Sequence, residues 1–324
     1  IKQIIVFKLK ISIILYINFY NLNNINQMRI FYLTTIILII VLATTITELY
    51  LGYVGLGDPI RYDSNYIYGY APKENQKKQR LKGSIVSIND VGLRSNYNWK
   101  NTNKDKIIFL GDSITYGGSY IDDKETFSYL VCKELKNYLC GNAGVNAYSI
   151  INIVMRSKFD KRFADAKKYI FLVAPGDFYR EYAGSNTAHF YLNNNKFFLP
   201  AITEAISFVA TKYDLNKYIS KKNDTKVYQN KQELINYSME LVKNEINRLK
   251  KLNKEVYLIY TIERDDKNSK KEINNYILNK LKALNIENFT SLENVLDKNI
   301  FFYDGIHYSK EGHNVVAKKI ISIL

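Results

Sequence analysis

Ser113 ends the run Phe109-Leu110-Gly111-Asp112-Ser113 and has the setting of a nucleophile. The short apolar run Ile107–Leu110 before it reads as a strand, and helical sequence follows soon after it. A serine at the carboxyl end of a strand and near a helix start has backbone N–H groups close by that can face a developing oxyanion. Its hydroxyl still needs a base. The chain holds three histidines, His189, His307 and His313. His307 follows Asp304 by three residues in Tyr303-Asp304-Gly305-Ile306-His307. That spacing on one turn lets the carboxylate accept a bond from one imidazole nitrogen and fix the tautomer, while the other nitrogen takes the serine proton. His189 lies in an irregular stretch and reads as a surface residue, and His313, after Gly312, as a residue that packs or caps at the start of the last helix. Ser113, Asp304 and His307 together have the types needed for attack on an ester carbonyl through an acyl-enzyme.

The elements that must position these residues are legible from Lys106 onward. Helical periodicity runs over Phe127–Leu139, a brief strand fits Tyr138–Cys140, and Tyr169–Val173 reads as a buried strand. Gln232–Leu252 is an amphipathic helix and Val256–Tyr260 a strand; Glu272–Leu284 and Glu311–Leu324 are further helices. Strands alternating with helices of this length imply an α/β fold with a parallel sheet covered on both faces, with reactive groups beyond the carboxyl ends of the strands. Between Phe178 and Lys231 the regularity lapses, and this insertion is either a lid over the site or a variable surface excursion. Residues 52–104, rich in Gly, Asn, Tyr and Lys, read as a lead-in of loops and short strands, with Ser84–Ile88 alternating before an Asn-Asp turn.

With this order in hand, the blocks resemble those of the SGNH/GDSL hydrolase superfamily over residues 105–324. Gly111-Asp112-Ser113 is similar to its first block, Asn142-Ala143-Gly144 to its second, and Asp304-x-x-His307 to its fifth. The motifs Tyr68-Gly69-Tyr70 and Asn89-Asp90-Val91-Gly92-Leu93-Arg94-Ser95 resemble those preceding this domain in some membrane-anchored members. The resemblance implies a three-layer α/β/α sandwich with a parallel, flavodoxin-like sheet. It also implies a serine esterase with Ser113 as nucleophile, His307 as base and Asp304 as its orienting acid. The N–H groups of Ser113 and Gly144 would hold the oxyanion, and no metal or organic cofactor is implied. One block departs. Where the family has an oxyanion-binding Asn in its third block, this chain has Gly176, in Ala174-Pro175-Gly176-Asp177-Phe178. Loss of one such donor costs about 2.7–4 kcal/mol of transition-state stabilisation. Another donor, with Asn146 a candidate, takes its place; or the glycine N–H serves; or the enzyme is slow; or catalysis has given way to binding. Retention of Ser113, Asp304 and His307 together weighs against the last of these.

Ahead of this domain, Ile30 to Leu51 reads IFYLTTIILIIVLATTITELYL, free of charge before Glu48 and about as long as a helix needs to cross a bilayer. The N-terminal flank carries Lys2, Lys8, Lys10 and Arg29 and the distal flank Glu48, Asp58 and Asp63, so the positive-inside rule puts the C-terminal bulk in the periplasm or outside the cell. No clear small-residue cleavage site follows the apolar run, which favours a retained single-pass anchor at 29–51 over a signal peptide. Residues 1–28, apolar from Ile11 to Ile17 and with Met28 the first methionine, are either a segment upstream of the true start or a second, weaker apolar helix. The membrane address together with the family resemblance implies a carbohydrate partner, O-acetyl esters of cell-surface polysaccharide, with the acyl group passing to water or to a sugar hydroxyl. A non-catalytic glycan-binding module and a lipase-like enzyme are the rivals.

Composition bounds the rest. A hydrophobic share of 47% with 14% aromatics suits a folded domain across the 324 residues, as does a mean hydropathy of -0.24. The net charge of +15 comes from lysines scattered among Asn, Ile and Tyr, with no basic block or zinc-finger spacing, which argues against nucleic acid. The two cysteines, Cys132 and Cys140, either pair in an oxidising compartment or remain small semi-buried thiols, and no Cys/His cluster has metal-ligand spacing.

Overall fold

The computed structural model describes residues 25–192, 197–212, 231–263 and 268–324. The apolar stretch Ile11–Ile17 and parts of the 178–231 insertion lie outside them. A long helix, α1 (Ile25–Tyr53), opens the described chain. The lead-in then forms two antiparallel hairpins, β1 (Tyr62–Asn65) with β2 (Gly69–Pro72) and β3 (Gln76–Gln79) with β4 (Ile85–Ile88).

Five parallel strands make the main sheet: β5 (Asp105–Leu110), β6 (Tyr138–Asn142), β7 (Lys168–Val173), β8 (Glu255–Tyr260) and β9 (Phe289–Ser291), in the order β6-β5-β7-β8-β9. Successive side chains of a strand point to opposite faces, and the two cores divide accordingly. Ile107 and Phe109 of β5, Ile170 and Leu172 of β7 and Ile259 of β8 pack with α3 (Phe127–Glu134) and α9 (Lys310–Ile321). Ile108, Leu110, Phe171, Val173 and Leu258 face the other way, against α4 (Ile150–Phe159), α7 (Lys231–Lys251) and α8 (Asn268–Ala283). The result is a three-layer α/β/α sandwich. Two short helices, α2 (Ser113–Tyr116) and α5 (Pro175–Tyr179), follow β5 and β7 directly, and α6 (Pro200–Lys212) lies within the insertion.

Two sequence expectations are corrected here. The periodicity read as one helix over Phe127–Leu139 ends at Glu134, because the chain must turn at Leu135 to enter β6 at Tyr138. The segment 178–231 is not wholly irregular, since it contains α6. Cys132 and Cys140, left open between pairing and free thiols, form a disulfide with Cα atoms 5.7 Å apart that ties α3 to β6.

The lead-in shares the core of the sandwich: Tyr62, Tyr70, Val86, Val91, Leu93 and Trp99 are buried in the same cluster as β5 and β7. Its polar link is Arg94, itself buried. The guanidinium pairs with Asp123 (Nε–Oδ1 3.1 Å) and donates to the carbonyls of Tyr116 (2.8 Å), Gly118 (2.6 Å) and Ile121. The backbone of Arg94 meanwhile bridges to Asn142 at the end of β6. Truncating one partner of a buried, hydrogen-bonded charge pair strands the other. We therefore expect Arg94→Met to lower stability by about 3–5 kcal/mol. Denaturant unfolding of the detergent-solubilised chain measures this, and Arg94→Met/Asp123→Leu should lose less than the single variant.

Candidate active site

Four strands deliver residues to one edge of the sheet, beyond their carboxyl ends. Ser113 follows β5, Asn142-Ala143-Gly144 follows β6, Pro175-Gly176-Asp177 follows β7, and Thr261–Glu263 follows β8. The turn at Ser113 requires glycine before it. A Cβ on Gly111 would come within 2.0 Å of Thr115 Oγ1 and 2.5 Å of the Leu172 carbonyl oxygen. Asp112 then caps α2, accepting from the Ile114 N–H at 2.8 Å. Ser113, first in that helix, owns one of the N–H groups that a helix start leaves without an intrahelical acceptor.

His307 arrives from the other end of the chain. Asp304 closes a turn by accepting the N–H groups of Ile306 (3.1 Å) and His307 (2.8 Å), and Tyr303 N–H donates to the His307 carbonyl at 2.7 Å. The buried Tyr308 and the Ser309 cap of α9 fix the turn from behind. In this setting His307 Nδ1 lies 2.8 Å from Asp304 Oδ2, and His307 Nε2 lies 2.8 Å from Ser113 Oγ. Burial disfavours the imidazolium of His307. The hydrogen bond and charge of Asp304, with Asp112 adding, outweigh this and raise the imidazole pKa above its ordinary value, against opposition from Arg180. Burial likewise pushes Asp304 up, but the bonds from the His307 side chain and from backbone N–H groups prevail and bring its carboxyl down to about 2. The carboxylate thus holds Nδ1, and Nε2 is turned to the serine.

His313 serves elsewhere, as a residue that caps. It is buried, stacks on Phe127, and accepts the Phe127 N–H on Nδ1 at 3.2 Å, at the start of α3. Burial, with Arg94 and His307 nearby, lowers its pKa to about 3, so the ring is neutral. His189 falls in a kinked 3₁₀ stretch, Ser185–Tyr191.

The glycines expected at the oxyanion are engaged otherwise. Gly144 N–H donates to Asn142 Oδ1 at 2.9 Å, and Gly144 packs so closely on α2 that a Cβ would lie 2.2 Å from the Tyr116 nitrogen. Its demand for glycine is explained by that approach. Gly176 N–H donates to Glu263 Oε1 at 3.2 Å. Asn146 is exposed, and its carbonyl accepts from Tyr70 OH at 2.6 Å. The next residue, Ala147, holds left-handed backbone (φ 63), a strained conformation for a residue with a Cβ.

A residue that the sequence reading passed over stands among these groups. Arg180 Nη1 donates to the Tyr148 carbonyl at 2.6 Å and lies 3.3 Å from Asp177 Oδ1 and 3.5 Å from Asp112 Oδ2. Its Nη2 lies 3.4 Å from where a Cβ on Gly176 would be. Burial and the neighbouring Asp112 push the Asp177 carboxyl well above the usual carboxylate range, and Arg180 partly offsets that. In sequence Arg180 is one basic residue just past a short helix; only packing brings it beside Asp112, the residue before the serine. Among the described residues no group of His, Cys, Asp and Glu is arranged to hold a metal.

Comparison with known proteins gives no match to a protein-family model and none among curated proteins. Among solved structures the chain is similar to a lipolytic protein of the G-D-S-L family from Desulfitobacterium hafniense DCB-2, at 14% identity and a TM-score of 0.42, covering 68% of this chain and 100% of that one. It is similar to the acetyl xylan esterase AlAXEase at 17% identity and a TM-score of 0.44, covering 68% and 99%. A catalytic mutant of an acetylxylan esterase from Geobacillus stearothermophilus gives 15% identity and a TM-score of 0.44, covering 68% and 93%. In its parallel α/β sandwich, and in the order of its Gly-Asp-Ser and Asp-x-x-His blocks along it, the chain resembles the SGNH/GDSL hydrolase superfamily.

Proposed function

We propose that the chain is a serine esterase of the SGNH/GDSL kind. The observation that carries this reading is the unbroken line of hydrogen-bonding atoms Asp304–His307–Ser113, with 2.8 Å at each link. Neutral His307 takes the Ser113 proton as Oγ attacks an acyl carbonyl, and Asp304 stabilises the imidazolium that forms. His307 then gives the proton to the departing alcohol. Water, deprotonated by the same imidazole, releases the acid from the acyl-enzyme.

The Ser113 N–H is the first oxyanion donor. With the Gly144 and Gly176 N–H groups engaged, the cation of Arg180, which stands with the Glu263 carboxylate around the point where a side chain at position 176 would start, serves as the second donor. An ester of a carbohydrate, O-acetyl in particular, suits the rim: Tyr303, half-exposed and adjacent to Asp304, stacks on Tyr120 at 3.9 Å and offers an aromatic edge to a sugar ring. The Cys132–Cys140 disulfide and the apolar helix α1 support a domain tethered outside the cytoplasm.

Ser113→Ala should reduce hydrolysis of a short-chain aryl ester at least about a thousandfold and abolish labelling by a fluorophosphonate; unchanged hydrolysis rejects the mechanism. Activity requires neutral His307, so kcat/KM should rise with pH through a midpoint above 6.5, the ordinary value. Asp304→Asn removes the charge that favours the imidazolium, and the midpoint in its pH-rate profile should fall. Arg180→Gln should lower kcat about a hundredfold with little change in KM. Because the Arg180 charge opposes protonation of His307, the same variant should move the midpoint upward, a shift that a purely structural role would not produce.

A further inference from the structure

The insertion helix α6 meets α1 at the level where α1 would leave a bilayer. From Ile30 to Thr47, α1 carries no charged side chain, a length of about 27 Å at the helical rise, close to the thickness of a hydrocarbon core. Glu48 ends that stretch. Its carboxylate accepts the N–H groups of Ala201 and Ile202, both at 2.9 Å, and so caps the first turn of α6. One turn further on, Glu204 is fully buried, paired with Arg80 and accepting the Gly57 N–H at 2.6 Å. These bonds hold one side of α6 against the end of α1 and the lead-in.

The other side of α6 is apolar and open. Ile206, Phe208 and Val209 are 63%, 42% and 51% exposed, and Phe198, just ahead of the helix, is 97% exposed. Between Phe198 and Ala210 the one charged residue is Glu204, which faces inward. An exposed, charge-free helical face is costly in water, and here it starts beside the charged end of a membrane-length helix.

We propose that α6 is an interfacial helix, lying on the leaflet from which α1 emerges, with Phe198, Ile206, Phe208 and Val209 set into the boundary between headgroups and acyl chains. A single span leaves a tethered domain free to swivel. A second contact, braced to the span through Glu48, would fix the face that the domain turns to the membrane. The inference rests on α1 being retained as a span.

The test uses the full chain reconstituted into phosphatidylcholine vesicles. Both native cysteines are paired, so Phe208→Cys introduces the thiol that takes an environment-sensitive fluorophore; Leu252→Cys, at an exposed position just past the end of α7, is the reference. We expect blue-shifted emission at position 208 relative to 252, quenched by lipids carrying a nitroxide near the headgroup and independent of the protein-to-lipid ratio. Adding Ile206→Asn and Val209→Asn should reduce the shift, with fluorophosphonate labelling of Ser113 reporting an intact fold. Emission at 208 as water-exposed as at 252 overturns the proposal. So does a shift that grows with protein density and is accompanied by cross-linking between copies, which would assign the face to a second chain. Alkaline carbonate separates the premise from the inference. Protein released in a form lacking α1 removes the span and the proposal with it, whereas protein retained with an exposed position 208 overturns the proposal alone.

Discussion

A guanidinium sealed from water must have its donors met, and Arg94 meets its own with the Asp123 carboxylate and the carbonyls of Tyr116, Gly118 and Ile121. Those carbonyls belong to the loop that leaves the Ser113 turn. The backbone of Arg94 is at the same time bridged to Asn142, at the end of the strand that leads to Gly144. One buried residue, through its charge and its backbone, thereby fixes two of the loops that surround the serine, and fixes them from the lead-in rather than from the sandwich itself. Arg156 repeats the device: its Nη1 donates to the Ala143 carbonyl at 2.8 Å and its Nη2 to the Gly92 carbonyl at 3.2 Å. The hairpins before the main sheet are thus structural partners of the site. A buried cation satisfied by backbone carbonyls is exacting about geometry, because any displacement of the loop leaves a donor unmet in a low dielectric.

The electrostatics around Ser113 are less simple than a three-residue relay. Asp112 and Asp177 are both buried, and Arg180 lies within 3.5 Å of each. The cation offsets their mutual repulsion and at the same time opposes the charge on His307, while Asp304 favours it. The site therefore balances the carboxyl groups of Asp112, Asp177, Glu263 and Asp304 against the one guanidinium of Arg180. Gly176, which looks in sequence like the loss of a donor, leaves space beside which Arg180 and Glu263 stand. A missing side chain and a neighbouring cation are one feature of the packing, described from two sides.

Much of the scaffold was legible in advance. The β5, β7 and β8 runs, the amphipathic α7 and the apolar α1 each carry a periodicity or a length that local physics demands, and their alternation implied the parallel sheet. The end of α3 was not legible, because Leu135 and the residues after it continue an apolar pattern that a helix and a buried strand share. Nor was α6, whose short apolar sequence sits amid polar residues and is braced by Glu48 of α1, 153 residues before Ala201, and through Glu204 to Arg80, 124 residues away.

The site divides along the same line. Sequence alone named Ser113, Asp304 and His307, because a serine after a buried strand and an Asp three residues before a His are local patterns, and the chain has few histidines to choose from. It left open whether Cys132 and Cys140 pair, and it named the N–H groups of Ser113 and Gly144 for the oxyanion without showing that Gly144 N–H donates to Asn142 Oδ1. Only the tertiary structure closed the 194 residues between Ser113 and His307 to one hydrogen bond, turned Gly144 into a contact with α2, and brought Arg180 within 3.5 Å of Asp112. Spacing along a chain records which groups share a turn; which groups share a cavity depends on how strands and helices pack, and that is set by the burial of the whole core.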